Sequence, residues 1–358
     1  MNTVLFWMSG LVPMKPEVST TKSVALMVIG LLAFVLYLYF FVGFDEIRDV
    51  LSQVDPLRYY SCYSLTIAAI VLSMLFYAMA WHDLLKSLSL HISLQKVLAY
   101  AWIANFVDLI IPLETVSGEL TKTYLLQRDI KENLGKIAAS IVSLRVIANL
   151  STLIGLSIGS AFLIFSYRTD PFVLDLLTVV LAGTAASVVI MVYLSISEDA
   201  ARKLVHAIIR LVCFVTRNRL NLVEHMEKAQ RSLSAFHDGI KTFGRNPKFL
   251  LKPAIYIFVS WFMHLSVYFL VFYGLGFTVI SISVLIIVYS VSMSVGTIPI
   301  TLPVGLVEIV MTSLYVLFGI PAAVSGTATT LIRVITFWFQ LLVGYVIIQW
   351  VGIKTIVR

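Results

Sequence analysis

Two hydrophobic stretches of this chain are broken in the same way, and a break inside a membrane-length apolar run leaves few ways to fold. In the first, Ile111-Pro112-Leu113 leads into Ser117-Gly118-Glu119, a short apolar helix, a polar turn and a long segment bearing Ser143-Leu144-Arg145-Val146. In the second, Ile298-Pro299 and Leu302-Pro303-Val304-Gly305 lead to Val307-Glu308, another short apolar helix, the turn Gly319-Ile320-Pro321, and Leu331-Ile332-Arg333-Val334. Glu119 and Arg145 are 26 residues apart, Glu308 and Arg333 25. Non-helical backbone survives at membrane depth only where protein or a wet cavity satisfies its polar groups. Matching broken segments in two halves are the sequence mark of a carrier with its site near mid-membrane.

The rest of the chain is built for lipid. Of 358 residues, 59% are hydrophobic and 13% charged, against about 25% charged in soluble proteins. A polytopic membrane protein follows. The net charge of +7 does not point to nucleic acid, because the basic residues flank apolar runs, as on cytoplasmic faces, without a basic-aromatic recognition module. Cys62 and Cys213 fall in an expected outer interface and a cytoplasmic loop, so no pairing and no metal motif is expected. Met1 to Met14 lacks the basic leader and cleavage site of a signal peptide and reads as an interfacial segment.

Ser23–Val42 is long enough to cross a bilayer, and Phe44–Arg58 mixes charge and apolar residues as an external amphipathic helix would. Tyr59–Trp81 crosses back, with Tyr59, Tyr60 and Trp81 expected at interfaces. Val97–Leu126 contains Asn105 and Asp108, breaks at Pro112 and has basic residues at both ends. It reads as a hairpin re-entering from the cytoplasm. Ile137–Phe165, Phe172–Ile196, Ala254–Tyr273 and Ala322–Trp350 are further spans, and Ile280–Leu317, broken between Gly296 and Gly305, is a hairpin entered from outside. Between Ser197 and Lys252 lysine and arginine dominate; Leu222, Met226, Ala229, Leu233, Phe236 and Ile240 give that segment one apolar helical face, to pack on neighbours or lie on an anionic membrane surface.

The expected architecture is an all-α polytopic membrane protein with about six full spans plus two re-entrant helical hairpins in an inverted repeat, or eight hydrophobic segments by simple hydropathy. Its organisation is an interfacial segment (1–22), a first membrane half with the inner hairpin (23–196), a basic amphipathic segment (197–252) and a second half with the outer hairpin and a short tail (253–358). Both termini are expected in the cytoplasm, with the chain in the cell membrane.

An arginine at the centre of a span costs about 2.5–3.5 kcal/mol on insertion scales, so Arg145 and Arg333 need partners. Arg145 can pair with Glu119 or Asp108, and Arg333 with Glu308, holding the hairpins in place. Alternatively, the guanidiniums contact an anionic head group, whose phosphate suits their planar fork; the two readings are compatible. Lys122, three residues from Glu119, offers a point charge to a phosphate, although a solvated interfacial lysine is commoner, and Asn149 shares a face with Arg145. Asp108, Glu119 and Glu308 are candidates for gating or proton coupling. His264 is a further candidate relay, set against the commoner hydrogen-bonded core histidine. Pro112, Gly118, Pro299, Pro303 and Gly305 mark the backbone breaks. No nucleophile elbow, phosphate-binding loop or zinc spacing is present, so no catalytic residue, cofactor or metal is expected.

At these motifs the chain resembles the transmembrane-region family of lysylphosphatidylglycerol synthases, a flippase-like group that includes stand-alone members. The resemblance rests on Ile111-Pro112 through Gly118-Glu119, Lys122 and Tyr124-Leu125-Leu126, and on Ile298-Pro299, Leu302 to Glu308 and Arg333. Glu114 lies where a basic residue is common, and Lys122 where arginine is. The resemblance implies handling or translocation of an anionic phospholipid or polyprenyl-phosphate-linked intermediate, with membrane lipids as partners. Related domains fused to glycosyltransferases imply an alternative, a non-transporting partner of a glycosyltransferase; an intramembrane lipid-modifying enzyme is a third reading. Eight residues follow Trp350, so the soluble aminoacyl-transfer domain of full-length synthases is not expected here.

Overall fold

The computed structural model describes residues 28, 29, 32, 34–111, 116–130, 133–166, 171–215, 222–296 and 304–351. The described residues of the first expected span are helical, ending in a π-helical turn at Leu38–Val42 and a left-handed Gly43. Then come α1 (Phe44–Ser52), α2 (Pro56–Ser87), α3 (Leu94–Ile110), α4 (Val116–Ile130), α5 (Leu134–Ser166), α6 (Pro171–Ile196), α7 (Glu198–Val215) and α8 (Leu222–Arg245). The chain continues through α9 (Lys248–Gly274), α10 (Ile282–Gly296), α11 (Leu306–Leu317), α12 (Ala322–Arg333), a π-helical stretch (Val334–Phe339) and α13 (Gln340–Val351). No strand occurs among the described residues. The fold is that of an all-α, multi-pass membrane protein.

Among the described residues five helical segments are long and apolar enough to cross a bilayer: α2, α5, α6, α9 and the joined α12–α13. Helix α2 begins where Asp55 accepts from Leu57 N and Pro56 takes the first turn, whose N–H would be unpaired anyway. Its 32 residues extend about 48 Å at about 1.5 Å per residue. It runs antiparallel to α9, and the two are bolted together at mid-length by Ser73 and Ser260. Each serine hydroxyl reaches the other's carbonyl, at 3.0 and 2.8 Å. Buried polar side chains bonding across helices in this way satisfy one another where no water competes.

Two cores stack along these long helices. One gathers Trp81 and Leu84 of α2 and Leu88 just after it with α3, α4, the start of α5, Phe243 of α8 and Ile348 of α13. The other gathers Ala69 and Ile70 of α2 with the far end of α5, the last two-thirds of α9, and α10, α11 and α12. The two broken segments therefore pack against opposite ends of the same scaffold.

The first break is an antiparallel helical hairpin. Lys96 and Tyr100, early in α3, reach Asp129, late in α4, at 2.8 and 2.7 Å, while Asp108, late in α3, reaches Ser117, early in α4. In the second, α10 and α11 pack together and α11 folds back on α12. Leu109 at the tip of the first hairpin, Val304 at the tip of the second and Phe337 of the π-helical stretch form one buried cluster. The hairpin tips thus meet inside the molecule.

Several expectations change in detail. Trp81, expected at an interface, is fully buried, because the start of α5 covers it and Ser140 accepts its indole N–H at 3.3 Å. Cys62 is buried too, against Gly274, since the α2–α9 packing extends past the expected interface. The last span is interrupted: Tyr63 of α2 donates to Leu331 O at 3.2 Å, just before the helix widens into its π-helical stretch. A side chain inserted into the carbonyl ladder is a known cause of such widening. The basic segment forms α7 and α8, and α8 packs on α5 so closely that a Cβ on Gly135 would meet Ser232 O at 2.0 Å.

Candidate functional site

The first hairpin presents three charged groups to α2 and α5. Helix α4 begins with N–H groups that have no partner within the helix. Asp108 of α3 satisfies one of them, its Oδ1 accepting from Gly118 N at 2.6 Å and also from the Ser117 hydroxyl at 2.7 Å. Gly118 is expected to serve a turn, but it lies within α4. Its role is close approach: a Cβ there would sit 2.1 Å from Asp108 Oδ2 and 2.7 Å from Ala104 O.

With Asp108 acting as the cap, Arg145 takes Glu119 as its partner. The contact is loose, Nε to Oε1 being 3.7 Å, with 26% of the arginine and 25% of the glutamate side chain exposed. Lys122 departs from the solvated lysine the sequence favoured: it is buried. Its Nζ donates to Tyr77 Oη at 2.7 Å and lies 5.0 and 5.6 Å from the ring centres of Tyr77 and Trp81. The negative ring faces stabilise a desolvated ammonium. Asn149 lies apart from this group, with Nδ2 turned to Met191 Sδ at 3.5 Å.

The second break closes more tightly. Gly305 caps α11 at φ +103°, a conformation side chains rarely adopt. Glu308, in the first turn, reaches back so that Oε2 accepts from Gly305 N at 2.7 Å, half of a capping box. Its Oε1 accepts from Arg333 Nε at 2.6 Å. The carboxylate is 2% exposed and the arginine side chain 13%, and the guanidinium lies 4.8 Å over Phe337, part of the cluster joining the hairpin tips. His264 on α9 is not the hydrogen-bonded core histidine favoured by base expectation: its ring packs 5.4 Å from Tyr289, within electrostatic reach of Arg333, and buried Nε2 has no partner among the described residues. Pro112, Pro299 and Pro303 lie outside the described residues.

Three groups were missed from sequence: Tyr77, Trp81 and the π-helical stretch beside Arg333. The four-residue spacing of Tyr77 and Trp81 was a usable sign, since it puts both rings on one face of α2. Val334–Phe339 carries no comparable mark.

The Lysylphosphatidylglycerol synthase TM region model matches residues 27–344, which include both hairpins and both acid–arginine pairs. The chain belongs to that family. Similar proteins include UPF0104 membrane proteins of three archaea. That of Methanothermobacter thermautotrophicus is 25% identical over 92% of this chain and 96% of its own length. That of Pyrococcus horikoshii is 21% identical over 91% and 96%, and that of Methanocaldococcus jannaschii 22% over 92% and 95%. Among the described residues no cluster of His, Cys, Asp and Glu has the makings of a metal site.

Proposed function

We propose that this member of the synthase transmembrane-region family moves an anionic phospholipid or polyprenyl-phosphate-linked molecule between leaflets, binding its head group at Arg145 and Lys122. One observation carries the reading. Arg145 is held by Glu119 at 3.7 Å and remains a quarter exposed, so its planar fork can exchange a carboxylate for a phosphate at small cost. Lys122 supplies a second, fixed positive charge on the same helix as Glu119. Glu119 then acts as the gate that occupies Arg145 between substrates.

The packing of the two hairpins against opposite ends of one scaffold, with touching tips, supports an inverted repeat around a central site. The end bearing Lys86, Lys96, Lys136 and the basic helices α7 and α8 is the cytoplasmic one under the positive-inside rule. Both termini face the same side in this reading, and the cell membrane is the bilayer concerned.

The test is a leaflet-resolved assay in proteoliposomes containing fluorescent anionic phospholipids or polyprenyl phosphates, comparing wild type with Arg145→Ala. The expected result is protein-dependent movement that the variant loses while remaining folded. Absence of movement with every lipid tried would remove the carrier reading and favour a binding partner for a glycosyltransferase.

A further inference from the structure

The second half contains buried hydroxyl groups that break the pattern set by the rest of the chain. Every other described helical threonine donates to a carbonyl three or four residues back in its own helix. That is the ordinary way a hydroxyl is satisfied in an apolar setting. Thr312 and Thr329 are wholly buried, and neither hydroxyl has a partner among the described residues.

The register shows where they are. Helices α11 and α12 form an antiparallel hairpin in which Glu308 meets Arg333. Moving one turn along each helix, from Glu308 to Thr312 and from Arg333 back to Thr329, brings the two threonines level on the facing sides. Tyr315 continues the face of α11, its buried hydroxyl likewise unpartnered. From α9 come His264, whose Nε2 is unpartnered, and Tyr268, within electrostatic reach of both Glu308 and Arg333. Tyr268 and His264 meet Tyr289 of α10 at ring separations of 5.3 and 5.4 Å.

A buried polar atom without a partner costs about 1–3 kcal/mol; of the eight such side-chain atoms among the described residues, Ser160, His237, Trp261 and Ser290 carry four, and the other four belong to Thr312, Thr329, Tyr315 and His264, on the three helices α9, α11 and α12 that bring Glu308 and Arg333 together. The ligand chemistry follows from the groups. Thr312, Thr329 and Tyr315 are fully buried, so a ligand that reaches their hydroxyls is small. Arg333 carries a permanent positive charge in the same place, which opposes a metal cation. Hydroxyls and an imidazole both donate and accept, which suits water. We propose that Thr312, Thr329, Tyr315 and His264 hold a file of water molecules that leads a proton to Glu308.

The proton passes along hydroxyl and water oxygens to Glu308 Oε1, converting the carboxylate to a neutral acid beside the still-charged Arg333. Among the described residues the charged or titratable groups around Glu308 are Arg333 of α12 and Tyr268 of α9, with His264 of α9 near Arg333, Tyr289 of α10 beyond Tyr268, and Tyr315 further along its own helix. Tyr37 is bound to Ser313 at 3.1 Å and Tyr63 to Leu331 O. The charges of α1, which packs on α12, are exposed. This inference deepens the carrier reading by assigning the proton as its coupling ion, and it rests on that reading only for its purpose.

Hydroxyl-radical footprinting of the full chain in lipid nanodiscs tests the waters, since radicals form where water is held. Tyr315 should be labelled severalfold more than Trp81, although both are fully buried; equal labelling would overturn the proposal. Replacing both threonines, Thr312→Val with Thr329→Val, keeps their shape. If the hydroxyls hold water, the melting temperature falls and Tyr315 labelling drops, whereas a rise in melting temperature with labelling unchanged would mean idle, dry hydroxyls. Infrared difference spectra on acidification then locate the proton. The wild-type carboxylic-acid C=O absorption should contain a D2O-sensitive component that is missing from the Glu308→Gln spectrum; identical absorption in the two proteins would overturn the assignment. None of these readouts requires lipid to move, so failure of transport and failure of this proposal are separable.

Discussion

At the first break Glu119 and Arg145 stand 3.7 Å apart with about a quarter of each side chain exposed, whereas at the second Glu308 and Arg333 close to 2.6 Å around an almost sealed carboxylate. The sequence spacing is nearly the same, so the spacing is not the cause. The difference lies in which residue caps the helix after the break. In the second half Glu308 does both tasks, one oxygen on Gly305 N and the other on Arg333. In the first half Asp108 reaches across from the opposite arm to take Ser117 and Gly118. Glu119 is thereby released from the backbone. A second acid at the first break, Asp108, takes over the cap and leaves Glu119 in a longer, more exposed contact than that of Glu308.

The largest effect expected from this comparison is in stability. Removing one partner of a buried ion pair leaves an uncompensated charge and costs about 3–5 kcal/mol, and Glu308→Ala also strips Gly305 N of its acceptor. The Glu119–Arg145 pair is longer and part-exposed, so Glu119→Ala should lower the melting temperature in nanodiscs less than Glu308→Ala does. A double-mutant cycle on each pair measures the contrast as a coupling energy. Equal couplings in the two halves would abolish the distinction between clamp and contact.

How far these roles were legible depends on what the sequence can encode locally. The helical fold, the spans and the two breaks follow from hydropathy and from Pro and Gly, which act over a few residues. The pairings Glu308–Arg333 and Glu119–Arg145 were readable as candidates because a buried arginine requires an acid and few are available. What could not be read is which acid caps which backbone. Asp108 and Glu119 are equivalent partners for Arg145 on paper, and only the antiparallel closure of α3 on α4 assigns them. Lys122 was misjudged for the same reason, since its acceptor Tyr77 comes from another helix. Thr312 and Thr329 look like their neighbours in sequence, and only the packed structure shows that their hydroxyls make no bond to their own helix.

A smaller effect sharpens the role given to Asp108. Gly118→Ala would drive a methyl group into the carboxylate that caps α4, with Ala104 O behind it. Overpacking of this kind typically costs about 1–3 kcal/mol. Gly183 on α6 has nothing within 4 Å of its missing Cβ, and Ala there should be neutral or stabilising by about 0.5–1 kcal/mol through helix propensity. The pair of substitutions separates close packing from backbone freedom. If Gly118→Ala behaves like Gly183→Ala, the capping by Asp108 is not what holds the hairpin closed.

The smallest effect comes from an ion pair that shares chemistry with the other two but not their setting. Glu198 of α7 accepts from Lys241 of α8 at 2.5 Å, with about half of each side chain exposed. The hydrogen bond from Lys241, and then its charge, hold the Glu198 carboxyl below its ordinary range. A carboxyl whose folded pKa is depressed contributes stability above its unfolded pKa, and that contribution is lost as pH falls through the folded value. The melting temperature of wild type should therefore drop slightly more than that of Lys241→Ala when pH is lowered across the carboxylate range. Salt should shrink the difference, because exposed pairs are screened. Raised salt should leave the Glu308–Arg333 coupling intact, since buried pairs are screened much less, and the Glu119–Arg145 pair should respond in between. A salt response that failed to follow this order of exposure would mean that burial is not what divides the two halves.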